Sequence, residues 1–352
     1  MASRGFLQAA VAAVFFFGIP FSGAMADTVV TGAGATFPYP VYAKWAAQYH
    51  EVTGVRLNYQ SIGSGGGIRQ IKARTVDFGA SDKPLEKQEL DRLGLVQWPM
   101  VMGGVVVVVN LPGIARGEIR LTPSLLADIF AGRIARWNDP AIRAINHSPN
   151  LPDLPITVVH RADGSGTTWI FTGYLSRVSP KWKSTVGWAK AVRWPTGIGG
   201  KGNEGVSAYV GRVRGAIGYV EFAYALQNKM TYVLLRNREG AFVAPSIRSF
   251  QAAASNADWS HAPGFYMVLV DQVGTASWPI TGASFILMYK DQPDASKAVV
   301  LLKFFDWCYR HGKDAAVALS YVPMPQNVVG LVEQAWRAGI TSHGQPIWPA
   351  RP

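Results

Sequence analysis

The stretch Val-Val-Val-Val-Val-Asn at residues 105–110 carries the clearest structural signal in this chain. A run of β-branched residues without polar alternation is typical of a strand that is buried on both faces. A second long apolar stretch, residues 280–290, lies roughly symmetrically to it about the middle of the chain. The two stretches are therefore candidates for crossovers between two lobes, an arrangement that would make one lobe discontinuous in sequence.

Alternating strand and helix patterns extend outward from this run and predict an α/β fold with largely parallel sheets. The further predicted strands are residues 55–59, 156–159, 216–220 and 285–289. The predicted helices are residues 41–49, 125–130, 169–175, 298–309 and 328–336. Because no internal repeat and no Ser- or Pro-rich linker interrupts these patterns, the sequence predicts a globular chain after its leader.

The composition excludes several classes of protein. Hydrophobic residues make up 49% of the 352 residues, which excludes disorder as the main state, and this length predicts about two domains. The single cysteine excludes a disulfide framework and a multi-cysteine zinc site. The formal net charge is +12, but the basic residues are scattered and match no nucleic-acid-binding pattern. We therefore expect no nucleic-acid partner, and the diffuse charge fits either attraction of small anions or solubility alone.

Residues 1–26 have the features of a secretory signal peptide. They contain Arg4, an apolar run at about residues 7–21 and then Ala-Met-Ala, which predicts cleavage after Ala26. The apolar run is shorter than the ~20 residues that span a bilayer, although a retained anchor is the alternative. Cys308 is the only cysteine and lies far from this point, so a lipid anchor at the new N-terminus is excluded. The expected location is the periplasm.

Three segments rich in glycine and hydroxyl residues precede predicted helices: residues 31–38, 63–67 and 161–168. The free N–H groups and partial positive charge of a helix start form an anion site. Ser64 stands where an N-cap is expected, and Arg161 offers a planar fork for two oxygens. One such segment is weak evidence, since these hydroxyls usually only cap a helix. Three segments with an arginine indicate a tetrahedral oxyanion.

A carboxylate accompanies these segments, because residues 76–84 contain Asp82. A carboxylate repels a bound anion unless the ligand still carries a proton to donate. Phosphate carries such a proton near neutral pH and sulfate does not, so an acceptor-only Asp82 would reject sulfate by opposing lone pairs.

Other known motifs are incomplete. Residues 197–202 satisfy G-x-G-x-x-G but follow a Trp-Pro turn instead of a clear strand, and Lys201 lacks the surroundings of an NTPase phosphate loop. Ser165 is not flanked by the glycines of a hydrolase elbow. The six histidines show no i, i+4 pairing. We therefore expect no metal and no cofactor.

Six segments of this chain resemble motifs of the phosphate-binding proteins of bacterial phosphate-specific ABC transporters. They are residues 31–38, 76–82, 161–167, 199–203, 215–219 and 303–307, in order through nearly the whole chain after the leader. The resemblance implies a two-lobed periplasmic-binding-protein fold of type II, with the ligand clamped in a cleft between lobes that close by a hinge. It implies one discontinuous lobe of residues 27–108 plus 280–352 and a second lobe of residues 109–279.

The resemblance also implies which residues surround phosphate. The expected hydroxyl donors are Thr36, Ser64, Ser165 and Thr167, and the expected backbone N–H donors are Phe37, Gly166 and Thr167. Arg161 would hold the anion by its charge, Asp163 would orient Arg161, and Asp82 would accept the proton of the ligand.

The implied function is high-affinity capture of inorganic phosphate and its delivery to an importer. The implied partners are two permease subunits and, through them, an ATPase, and the protein is expected to be a monomer without catalytic activity. Two alternatives are a binding protein for another tetrahedral oxyanion, such as sulfate or molybdate, and a secreted phosphatase.

Overall fold

A computed structural model describes residues 29–147 and 151–348, so the predicted leader lies outside the described residues. The strands are β1 (Val29–Gly34), β2 (Arg56–Ser61), β3 (Phe78–Ser81), β4 (Leu95–Val109), β5 (Arg120–Leu121), β6 (Thr157–Arg161), β7 (Ile198–Gly200), β8 (Ala216–Glu221), β9 (Thr231–Tyr232), β10 (Leu234–Arg236), β11 (Phe242–Val243), β12 (Thr281–Tyr289), β13 (Val322–Pro323), β14 (Thr341–Ser342) and β15 (Gln345–Pro346).

The α-helices are α1 (Tyr39–Thr53), α2 (Ser64–Lys72), α3 (Lys87–Leu93), α4 (Pro123–Phe130), α5 (Pro140–Arg143), α6 (Gly166–Val178), α7 (Pro180–Thr185), α8 (Gly202–Arg212), α9 (Phe222–Gln227), α10 (Ile247–Ala254), α11 (Ala295–His311), α12 (Lys313–Ala318) and α13 (Gln326–Gly339). Two short 3-10 helices cover Trp259–His261 and Pro263–Phe265. Each predicted strand and helix lies in or largely overlaps one of these elements, and the α/β prediction is confirmed.

The largest sheet has the strand order β2-β1-β3-β12-β4-β8-β6-β7, with β9 and β13 also paired to β4. Strands β1, β2 and β3 are parallel, and so are β6, β7 and β8. Strands β4 and β12 run antiparallel to their neighbours. The expected parallel pairing therefore holds within two groups of strands, which two antiparallel strands join.

Strand β4 links the two groups. Its residues 95–104 pair with β12, whereas Val105–Val109 pair with β8. The five valines are at most 3% exposed, as the continuous β-branched run predicts. Within the described part of the chain, β12 pairs with β3 and β4 alone, so it lies within one group and the chain crosses back just before it.

The first part of β4 contains two features that are untypical of a regular strand, so the sequence pattern does not predict it. Pro99 cannot donate a ladder hydrogen bond, and the register with β12 shifts between Ser284 and Phe285, opposite Pro99 and Val101. The extra residue of this bulge is Met100. A proline inside a strand pattern argues against a strand, so sequence analysis found only the valine half.

Helices cover the faces of the sheet and form the core. Near β3 and the first half of β4, the ring of Phe305 in α11 packs edge-on against Phe78 and Trp98, at centroid distances of 5.3 and 5.5 Å. At the group that contains β8, the ring of Phe171 in α6 stacks on Tyr219 at a centroid distance of 4.2 Å. Such aromatic pairs stabilise by about 1 kcal/mol beyond their buried area. This packing holds the strand ends, and the loops that follow them, in place.

In the part of the chain that the structure describes, no helix is both long enough and apolar enough to cross a membrane. Cys308 is buried in α11 with a free thiol.

Candidate functional site

The predicted site residues meet at one edge of the sheet. Thr36 follows β1, Ser64 follows β2, Asp82 follows β3, and Arg161 ends β6. The carboxyl ends of parallel strands point to the same edge, which is where open α/β sheets bind ligands. The N-termini of α1, α2 and α6 lie at the same edge of the sheet, because these helices begin at or just after the segments that follow the strands.

Direct hydrogen bonds join the two groups of strands at this edge. The N–H of Gly65 donates to the carbonyl of Gly164 at 2.7 Å, and the N–H of Gly166 donates to Ser64 Oγ at 3.1 Å. Ser64 is fully buried. The half of the protein that contains β1, β2 and β3 and the half that contains β6, β7 and β8 are therefore closed on each other. The N–H of Gly166, an expected ligand donor, is hydrogen-bonded between these two halves.

Ser64 does not cap α2, contrary to the sequence prediction. The helix begins at Ser64 itself, and its N-cap is Gly63 with φ 83°. A Cβ at position 63 would lie 2.1 Å from Asp163 Oδ2, and this positive φ also favours glycine. Ser64 Oγ instead accepts hydrogen bonds from the N–H groups of Asp82 and Gly166, each at 3.1 Å. With both lone pairs used, the hydroxyl donates its own proton to Asp82 Oδ2, at 3.4 Å.

Arg161 and Asp163 form a bidentate pair. Arg161 Nε donates to Asp163 Oδ1 at 2.8 Å, and Nη2 donates to Oδ2 at 2.5 Å. The remaining Nη1 donates to Thr167 Oγ1 at 3.3 Å. Burial tends to raise the pKa of Asp163, but the hydrogen bond and charge of Arg161 hold it below its usual value. A positive guanidinium, 4% exposed, is thus fixed in the site by an ionised partner.

Asp82 lies opposite, 2% exposed, and its Oδ1 has no hydrogen-bond partner within the described residues. Burial raises the pKa of Asp82 from 3.8 to about 7, and the nearby hydroxyl of Ser284, the charge of Arg161 and the hydroxyl of Ser64 lower it only in part. Near neutral pH the carboxyl therefore exists in both protonation states. It can donate a proton as well as accept one, which extends the acceptor-only role expected from sequence.

Phe37 and Ser165 are held by contacts of their own. The Phe37 carbonyl accepts a hydrogen bond from the Tyr321 hydroxyl at 2.6 Å, and the same hydroxyl lies 2.8 Å from Glu221 Oε2. Burial raises the pKa of Glu221 well above its usual value. Ser165 Oγ accepts from the N–H of Thr168 at 2.9 Å and caps α6. Both residues are fully buried.

Asn203, in the first turn of α8, belongs to this site although sequence analysis assigned it no role. Its Nδ2 lies 2.7 Å from Thr36 Oγ1 and 3.2 Å from Thr167 Oγ1. The residue stands in the motif 199–203 that carries the family resemblance, which was the available signal. The G-x-G-x-x-G pattern of residues 197–202, which ends just before Asn203, contains β7 and does not follow a strand.

The assembled site offers several donors and one group that can accept a proton. Arg161 supplies a charge, and the hydroxyls of Ser64, Thr36 and Thr167 supply donors around it, while Asp82 is the opposed carboxyl. No group of three or more potential metal ligands occurs among residues 29–147 and 151–348. This arrangement fits a small oxyanion that shares a proton with Asp82.

Comparison with known proteins agrees with this geometry. Residues 22–310 match the family model of the PBP superfamily domain. The phosphate-binding protein PstS of Pasteurella multocida (strain Pm70) is 53% identical over 322 residues, which cover 91% of this chain and 93% of the relative. That of Xylella fastidiosa (strain Temecula1) is 55% identical over 307 residues, covering 87% and 84%. The chain belongs to the PstS family of phosphate-binding proteins.

Solved structures show the fold of this PstS family member. A high-affinity periplasmic phosphate-binding protein solved with bound phosphate superposes with a TM-score of 0.72 at 20% identity, over 92% of this chain and 99% of the other. A phosphate-binding protein from Stenotrophomonas maltophilia gives 0.69 at 21% identity, over 91% and 97%. The two-lobed periplasmic-binding fold predicted from the resemblance is confirmed.

Proposed function

We propose that this protein captures inorganic phosphate with high affinity and delivers it to an ABC importer. The observation that carries the proposal is the buried, bidentate Arg161–Asp163 pair, whose charge acts on the buried Asp82 with its unpaired Oδ1. A fixed positive charge attracts an oxyanion, and a carboxyl with a pKa of about 7 shares one proton with it. The names of the relatives support the same ligand.

We propose the nine residues identified above as the phosphate site. Thr36, Ser64, Ser165 and Thr167 supply hydroxyls, the N–H groups of Phe37 and Thr167 add backbone donors, and Gly166 keeps the closed contact free of a side chain. Asp82 shares the ligand proton. One proton lies between Asp82 and the ligand, so protonated Asp82 with the phosphate dianion and ionised Asp82 with the monoanion are the same complex.

The transport cycle follows from the two-lobed fold. We propose lobes of residues 27–108 plus 280–352 and of residues 109–279, which phosphate bridges only when they are closed. Ligand binding then shifts the population to the closed form. In this proposal the mature protein, cleaved after Ala26 and without a lipid anchor, is a periplasmic monomer. It presents the closed form to two permease subunits that are driven by an ATPase.

We propose that the protein performs no chemistry on phosphate. Among the residues that the structure describes, the hydroxyl of Ser64 contacts only Asp82 and the N–H of Gly166, and that of Ser165 caps α6. Within the same residues, neither hydroxyl is bonded to a histidine or lysine that could activate it as a nucleophile. Turnover of a chromogenic phosphate ester by the purified protein would contradict this point.

Calorimetry of the ligand-stripped protein tests the ligand assignment. Titration near pH 8 with phosphate is expected to show tight one-to-one binding, and titration with sulfate is expected to show none, because ionised Asp82 opposes an unprotonated oxygen. Equal affinity for the two anions would contradict the role of Asp82. Absence of binding to either would contradict the proposed function.

Substitution of Gly166 by alanine is expected to weaken phosphate binding about 10- to 100-fold, since overpacking a close contact costs about 1–3 kcal/mol. A Cβ at this position would lie 2.4 Å from Ser64 Oγ and 2.5 Å from Asp82 Oδ2, both on the opposite side of the closed contact. The clash arises only on closure, so thermal unfolding of the ligand-free open form should change little.

Gly211→Ala is the matched control, because a Cβ there has no heavy atom within 4 Å. It lies in α8 of the same half of the protein and should keep full affinity. Equal affinities of the Gly166 variant and this control would show that position 166 does not limit closure.

A further inference from the structure

Asn203 is fully buried, and its amide orientation is determined by its surroundings. Its Oδ1 accepts a hydrogen bond at 2.9 Å from the backbone N–H of Glu221. A backbone N–H can only donate, so the oxygen of the amide must face it and the NH2 group must face the opposite way. The two hydrogens of Nδ2 therefore point toward Thr36 Oγ1 and Thr167 Oγ1.

Each of the two threonine hydroxyl oxygens consequently accepts two hydrogen bonds, which occupy both of its lone pairs. Thr36 Oγ1 accepts from Asn203 Nδ2 at 2.7 Å and from the Asn203 backbone N–H at 3.3 Å. Thr167 Oγ1 accepts from Asn203 Nδ2 at 3.2 Å and from Arg161 Nη1 at 3.3 Å. A hydroxyl has two lone pairs and one proton, so each can now act only as a donor.

The two protons have no acceptor among the described residues. The hydrogen bonds of Thr36 Oγ1 and Thr167 Oγ1 found in residues 29–147 and 151–348 are all bonds that these oxygens accept. A buried hydroxyl proton without an acceptor is costly. Thr167 contacts Arg161, where the proposed anion is held, and Asn203 joins Thr36 to Thr167.

We propose that Asn203 is a positioning residue that makes Thr36 and Thr167 obligatory donors to the bound anion. This inference rests on the proposed phosphate site and adds a specificity-determining residue to it. An anion must then present unprotonated oxygens to the two threonines, while it shares its single proton with Asp82 on the opposite side. The site therefore selects for the position of the proton on phosphate as well as for its presence.

A double-mutant cycle on phosphate affinity tests the role of Asn203. Asn203→Ala is expected to weaken binding about 30-fold in the otherwise unchanged protein, but only about 5-fold in a Thr167→Val background, because part of its effect passes through that hydroxyl. Thr167 lies in the same half of the protein as Asn203. Coupling between them therefore cannot come from a contact that merely holds the two halves together.

Asn237→Ala is the matched control, because Asn237 is a buried asparagine whose Nδ2 bonds only the carbonyls of residues 274, 275 and 277. It should lower thermal stability and leave phosphate affinity unchanged in both backgrounds. If Asn203→Ala fails to fold, Asn203→Ser completes the same cycle with a smaller expected loss.

The outcomes separate the inference from the function on which it rests. Equal effects of the Asn203 substitution in the two backgrounds would overturn the positioning role, while phosphate binding by the unchanged protein would still support the site. Absence of phosphate binding by the unchanged protein would overturn the proposed function itself.

Discussion

Arg161→Met is expected to weaken phosphate binding by roughly 30- to 5,000-fold, because removing one member of a buried, hydrogen-bonded charge pair costs about 2–5 kcal/mol. Arg161 is 4% exposed, and it is held by both carboxylate oxygens of Asp163. Its loss removes the positive charge and leaves the Asp163 carboxylate unpaired beside the ligand. Calorimetry on ligand-stripped protein measures the change in affinity.

Two further variants separate the causes of that loss. Arg161→Met combined with Asp163→Asn removes the unpaired carboxylate, so it should recover thermal stability but not phosphate affinity. Arg136→Met is the control, since Arg136 pairs with Asp153 on the surface, with side chains 52% and 66% exposed. Recovery of full affinity by the double variant would show that repulsion by Asp163, and not the charge of Arg161, governs binding.

Asp82→Asn is expected to remove a large pH dependence from the stability of the protein in the closed form that the structure shows. The pKa of Asp82 is raised from 3.8 to about 7, so folding favours its protonated form. The stability that this group contributes is fully present below about pH 4 and is lost as pH rises to about pH 7, a change of ~4 kcal/mol. The neutral asparagine does not titrate, so the variant should gain stability relative to the unchanged protein over this interval.

Denaturant unfolding of both proteins between about pH 4 and pH 8 measures the effect. The buried carboxyl of Glu221 also has a raised pKa, chiefly from burial, and the charge of Asp82 is the last of its causes, so its contribution to the difference is confined to that coupling. A difference in stability that stays constant with pH would show that Asp82 is not perturbed by its burial.

The same carboxyl leads to an expectation for anion selectivity. Protonated Asp82 can donate to sulfate, so sulfate affinity should rise by up to about tenfold per pH unit as the pH falls toward about 7, and it should level off below that pH, where Asp82 is already protonated. Asp82→Asn, which offers an amide donor at every pH, should bind sulfate without this dependence. Sulfate rejection that persists unchanged at about pH 5 would show that charge state does not govern selectivity.

Patterns along the chain were sufficient for several of the main strands and helices and for the class of ligand. The valine run became the buried half of β4, and each predicted helix became part of an observed one. The glycine- and hydroxyl-rich helix starts, with Arg161, indicated an oxyanion because free N–H groups and a guanidinium have that preference whatever their partners. The family resemblance supplied the residue roles, and the structure brings those residues together.

Only the tertiary structure decided how these groups act. Asn203 reaches Thr36 across 167 residues of chain, and no local pattern encodes that contact. Ser64 accepts bonds from Asp82 and Gly166 instead of capping its helix, because Gly63 makes the turn. The pKa of Asp82 depends on its burial in the folded protein. Local propensities and donor types are properties of single residues, so the sequence determines them, whereas desolvation and the direction of each proton depend on which distant segments close around the site.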